Sequence, residues 1–220
     1  ANSADFLIKA PTDNASLTLQ AGSSDSGAEG SFVNFVQNTD YKWQLGMNTD
    51  NSFRLYSYGA SAEVLKVDSA GIVTKPLQPS FLARMPSGAV AITSSAQAKF
   101  NFNSASWDTN NDFTSSNNRF TAPVAGKYFF QWLIQVENIT TAPTWYYAYP
   151  RVNGSNSYGG ANGMTAADQV EPVGTYAAIK GTQTLNLNSG DYVDLGYYWD
   201  GGNGNLKGGG ESMWAGHLIG

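Results

Sequence analysis

Apolar and polar residues alternate with period two along most of this chain, and nowhere do apolar residues recur at helical spacing over eleven or more positions. The clearest case is residues 128–137. Tyr128, Phe130, Trp132, Ile134 and Val136 fall on one face, and Phe129, Gln131, Leu133, Gln135 and Glu137 on the other. The first face carries no polar group except the tyrosine hydroxyl and the tryptophan indole N–H, so it is predicted to be core. Shorter stretches repeat the pattern: Leu17 and Leu19; Tyr41, Trp43, Leu45 and Met47; Phe53 and Leu55. Turn-rich segments at 22–30 and 48–51 separate them, and an all-β chain follows.

Breaker residues divide this pattern. Asp68-Ser69-Ala70-Gly71 lies between two apolar runs and predicts a hairpin in which Gly71 supplies a positive φ. Pro76 and Pro79 then remove two backbone donors and hold the chain extended, which places a domain boundary at residue 78, give or take three. Residues 1–78 hold few large apolar side chains for their length and are expected to complete their core with copies of themselves. In residues 79–220, Pro123 to Gly126 turns the chain into the long strand. Asn188-Ser189-Gly190-Asp191 makes a second turn, after which Val193 and Leu195 point inward together.

Composition narrows the functional classes. Of 220 residues 41% are hydrophobic, enough for a real core, while only 13% are charged, about half the usual share. Twelve Lys+Arg against seventeen Asp+Glu give a net charge of −5, which argues against binding nucleic acid or anionic lipid. Recognition must then rest on hydrogen bonds and aromatic faces. The chain has no cysteine, so no disulfide staples it, and maturation in a reducing compartment is the simpler reading. No apolar run reaches the ~20 residues of a membrane-spanning helix. The start at Ala1, without methionine, fits a cleaved product or a C-terminal fragment.

Several spaced motifs occur in a fixed order: Phe81-Leu82-Ala83; Phe120, Ala122, Pro123, Gly126, Tyr128 and Phe130; Asn153-Gly154; Leu185, Leu187, Gly190, Asp191 and Val193; Trp214, Gly216 and Leu218. Residues 81–220 on these motifs resemble the complement C1q and tumour necrosis factor-like family. The resemblance implies a ten-strand jelly-roll sandwich that works as a homotrimer, with apical loops that contact a partner. The brief strands and the VLKVDSAGIV hairpin of residues 5–75 resemble the neck and shaft segments of bacteriophage tail fibres and other virion appendages. The aromatic load of residues 100–214 exceeds what one sandwich can bury, which also points to a subunit interface or an exposed binding face.

Two clusters are candidate ligand sites. In residues 138–149, Trp145 and Tyr147 share one strand face with Tyr149, a stacking platform for sugar rings; the alternative is that these rings fill the core or a subunit interface. Trp199, with Asp200, Asn203 and Asn205 of the glycine-rich segment 200–210 that it precedes, forms the second. There the backbone can approach a ligand and side-chain oxygens can meet hydroxyls; the alternative is a hairpin tip with no partner. The GGNGN piece faintly resembles a calcium-binding repeat, but Asn205 stands where the acid belongs, so no metal or other cofactor is assigned.

Catalysis has little to work with. The single histidine, His217, lies in the last strand and suits a structural role, and Asp191 of the nearby pair Asp191 and Asp194 is more simply a turn acid. No enzyme is expected. The expected protein is a virion structural component, the trimeric receptor-binding tip of a tail fibre, adhering to a host cell-surface glycan or protein and joined to other tail or fibre proteins. The alternatives are a head that only locks the trimer, or a secreted, non-viral C1q-like lectin.

Overall fold

The predicted core face of residues 128–137 is buried throughout, from Tyr128 to Val136, inside strand β11 (Gly126–Glu137). A computed structural model describes residues 30–92, 96–155 and 176–220. Every regular element among them is a strand. The chain divides into two compact units, Ala1–Leu77 and Gln78–Gly220. The leucines at 17 and 19 and most of the 22–30 segment lie outside the described residues.

The described part of the first unit is a meander of β1 (Ser31–Gln37), β2 (Asp40–Met47), β3 (Phe53–Ser57), β4 (Ala62–Val67) and β5 (Val73–Thr74), paired in that order. The turn at Asn48 to Asn51 and the Asp68 hairpin form as the sequence predicts, the latter closed by Gly71 N–H to the Asp68 carbonyl at 2.9 Å with φ +84° at Gly71. Strand register places Met47, Phe53, Val67 and Val73 in one row, Val33, Leu45, Leu55 and Leu65 in the next, and Phe35 and Trp43 in a third, all on one face. The opposite face is polar and internally bonded. Arg54 donates to Gln44 at 2.8 Å, Gln44 donates to Asn34 at 3.1 Å, and Lys66 pairs with Asp50 at 2.7 Å. The Arg54 guanidinium also lies over the rings of Phe32 and Tyr56.

Among its described residues the second unit has two five-stranded sheets. One has the order β13 (Tyr176–Leu187), β11, β15 (Asn205–Leu218), β6 (Ser80–Ala91), β8 (Ser104–Asp108); the other runs β12 (Trp145–Val152), β14 (Tyr192–Asp200), β10 (Arg119–Thr121), β9 (Phe113–Thr114), with β7 (Ala96–Lys99) also on β14. From β10 onward successive strands change sheet, and β6 lies beside β15, the last strand. That is the wiring of a jelly roll.

Rings from both sheets fill the space between them. Phe81 of β6 stacks on Phe120 of β10 at 5.0 Å and meets Trp214 of β15 edge-on at 4.9 Å. The FTAPVAGKYFF run therefore serves the framework: Phe120, Tyr128 and Phe130 are core, and the Tyr128 hydroxyl donates to the Val124 carbonyl at 2.8 Å, tying strand to turn. Burial raises the Tyr128 pKa, which keeps that donor protonated. The turn before β14 is held by Asp191, whose carboxylate accepts from the Asn188 N–H and the Asn153 side chain, each at 2.8 Å.

Candidate functional site

Strand β12 is paired along its length with β14, and this pair presents the outer face of its sheet. Register sets Trp145 opposite Asp200, Tyr147 opposite Tyr198, Tyr149 opposite Gly196 and Arg151 opposite Asp194. The intervening residues Tyr146, Ala148, Leu195, Tyr197 and Trp199 belong to the core. Strand alternation thus produces a ladder of aromatic and charged side chains with two different ends.

The lower end is closed and ionic. Asp194 is fully buried and accepts from Arg151 Nε at 2.5 Å, while Arg119 Nε stands 3.7 Å from its other oxygen. Gly196 makes this possible, because a Cβ there would lie 2.8 Å from Arg151 Cδ and 3.2 Å from Tyr149 Cζ. Arg119 in turn lies over the Tyr192 ring at 3.9 Å. The buried carboxylate thus has its charge paired with two guanidiniums, through a hydrogen bond at Oδ1 and through the ion pair alone at Oδ2.

The upper end is open. Trp145 is 56% exposed, and Tyr147, Tyr198 and Asp200 are partly exposed. Tyr147 stacks on Tyr198 at 5.5 Å between centroids and touches Tyr149 at 5.7 Å, so buried Tyr149 and the ion cluster fix the rings above them. Such a row offers flat apolar faces beside a carboxylate, the chemistry that suits a ring with one C–H face and hydroxyls at its rim.

The predicted site residues are not all brought together. Trp145, Tyr147 and Asp200 lie side by side on this ladder. Trp199 does not: it is fully buried, its ring 5.5 Å from Tyr146, and its place on the outer face is taken by Tyr198. Its burial follows from parity, because Val193, Leu195, Tyr197 and Trp199 all point inward. The segment 200–210 is not one loop either. Only residues 201–204 leave the strands, and Asn205 begins β15, paired with Ala91 and Glu137.

Asn203 is occupied with structure. Its side-chain oxygen accepts the N–H groups of Thr140 and Thr141 at 2.9 and 2.7 Å, and its amide donates to the Thr140 hydroxyl at 2.5 Å. Gly202, at φ +63°, presses on the same loop, where a Cβ would come within 2.5 Å of the Thr141 carbonyl. The turn thus anchors the loop leading to Trp145. Among the described residues no three His, Cys, Asp or Glu side chains gather as a metal site, and His217 is exposed beside Phe129 on the other sheet. No helix among them is long and apolar enough to cross a membrane.

No family model and no curated protein matches this chain. Among solved structures, the globular domain of a zebrafish complement 1qA protein is similar at 19% identity, covering 64% of this chain and 97% of that one, with a TM-score of 0.43. Murine APRIL is similar at 7% identity, covering 64% and 99%, with a TM-score of 0.44. The Eiger TNF of S. frugiperda is similar at 11% identity, covering 65% and 94%, again with 0.44. The jelly-roll assignment rests on the strand order of the second unit itself.

Proposed function

We propose that this protein is a virion appendage component, a trimeric tail-fibre tip whose jelly-roll head adheres to a host cell-surface glycan or protein. Residues 1–78 form the neck or shaft and join other tail or fibre proteins. The supporting observation is the open aromatic end of the β12–β14 ladder, where Trp145, Tyr147, Tyr198 and Asp200 stand exposed or half-exposed on two paired strands. Rings held on a sheet lose little freedom when a ligand stacks on them, so even a shallow surface can bind. A low-charge surface leaves stacking and hydrogen bonding as the available recognition chemistry.

Three such sites on one head act by avidity: each is weak, and a dense receptor engages them together. The trimer reading is supported by the outer face of the other sheet, where Leu133, Ala178 and Met213 line an open groove of about 550 Å³ beside exposed Tyr176. Replacing residues 79–220 with a foreign trimerisation segment tests the assignment of adhesion to the head. Particles carrying that fibre are expected to lose adsorption to cells. Retained adsorption would favour a head that only locks the trimer. Binding by the free protein with no role in adsorption would favour a secreted lectin.

A further inference from the structure

The first unit presents a face that one copy leaves uncovered. Val33, Phe35, Trp43, Met47, Phe53 and Val73 are each between 39% and 58% exposed, and all lie on the apolar side of the β1–β5 meander. No charged side chain stands in its three rows: Arg54, Glu63 and Lys66 are on the opposite face, and the ion-paired Asp40 and Lys42 lie at and beyond the β1–β2 bulge, past the Phe35 and Trp43 row. The polar face is already committed to its own ion pairs, so the sheet has a fixed inside and outside. A sheet with one apolar face needs a second layer.

We infer that this face is the contact by which the N-terminal sheets of several copies of this chain pack on one another. Three observations favour copies over other occupants. The exposed apolar area is on the order of 600 Å² per chain, at the upper end for an ordinary monomer's largest patch and near one partner's share of a stable interface. Identical uncharged faces meet without like-charge repulsion, whereas a partner recognised by charge would find nothing to pair with here. Residues 1–29 of the same chain supply only five large apolar side chains, Phe6, Leu7, Ile8, Leu17 and Leu19, half of what the ten-residue face presents. The number of copies rests on the trimer reading of the head; the contact itself does not.

The lack of cysteine makes the test direct. Phe53→Cys and Val33→Cys on the apolar face, and Tyr41→Cys as an exposed control beyond the β1–β2 bulge, are introduced singly into the full chain. All three sites are partly open in one copy, so none requires a core side chain to be lost. At working concentration the two apolar-face thiols are expected to react with maleimide at least about tenfold more slowly than Cys at 41, to recover on dilution, and to be joined between chains by a short bis-maleimide. Equal reactivity at every concentration contradicts the inference. So does protection that ignores dilution and gives no interchain product, which would assign the cover to the chain's own residues. Light scattering on the same samples counts copies of the whole chain, so a failure of the trimer reading appears there and a failure of this contact appears in the labelling.

Discussion

The head and the N-terminal sheet are written in the same period-two alternation and reach opposite ends. In the head, alternate residues of β11, β14 and β15 meet the apolar face of a facing sheet, and Phe81, Phe120, Trp214 and their neighbours are sealed from water. In the N-terminal sheet the alternation is just as regular, yet Trp43 and Phe53 remain 42% and 45% exposed. Alternation specifies that a face is apolar; whether it becomes a core depends on what is brought against it. A jelly roll supplies its own second layer by sending successive strands to different sheets. The described N-terminal meander does not: its strands lie in one sheet, each paired only with its sequence neighbour.

The difference has a ranked set of consequences. Trp214→Ala removes a fully buried ring from the centre of the head and is expected to cost about 3–5 kcal/mol, read by chemical denaturation and independent of protein concentration. Arg151→Ala leaves the buried Asp194 carboxylate with only the more distant Arg119 and is expected to cost about 3 kcal/mol, although Arg151 lies on the outer face. Phe53→Ala is expected to behave oppositely: a loss of about 1 kcal/mol or less in dilute chains, growing over a hundredfold increase in concentration as the faces associate. A concentration-independent loss as large as that of Trp214→Ala would erase the contrast between the two units.

The smallest effect concerns acid. Lys66 and Ser52 hold the Asp50 carboxyl well below the usual carboxylate range, and Asn153 and Asn188 do the same more mildly for Asp191. A depressed folded pKa contributes stability that is present above the unfolded value and is lost as pH falls through the folded one. Each unit is therefore expected to lose stability below about pH 4. Asp50→Asn should flatten that slope in the N-terminal unit, and Asp191→Asn in the head, as measured by thermal melts at pH 2–7.

Much of the head was legible because its signals are local. The parity of residues 128–137, the Asn188 to Asp191 turn and the inward pair Val193 and Leu195 all appear in the structure as read. The same parity carried four residues further puts Trp199 inside and Tyr198 outside, a signal present in the sequence and outweighed by the glycine-rich segment that follows. The ionic end of the ladder was not legible. Arg119, Arg151 and Asp194 are separated by 32 and 43 positions, and only the pairing of β10, β12 and β14 brings them together. The bonds of Asn203 were not legible either, because nothing local shows that two threonine N–H groups will claim its oxygen.

The most direct measurement is adsorption to host cells by particles carrying Trp145→Ala or Tyr147→Ala, with Phe129→Ala on the other sheet as the control and light scattering to confirm an unchanged assembly. Trp145 is exposed and outside the core, so its truncation should leave the melting temperature within about 2 °C of the parent. The expected result is a loss of adsorption of at least tenfold for both ladder variants and none for the control. Unchanged adsorption by Trp145→Ala and Tyr147→Ala in intact heads would contradict the assignment of recognition to this ladder.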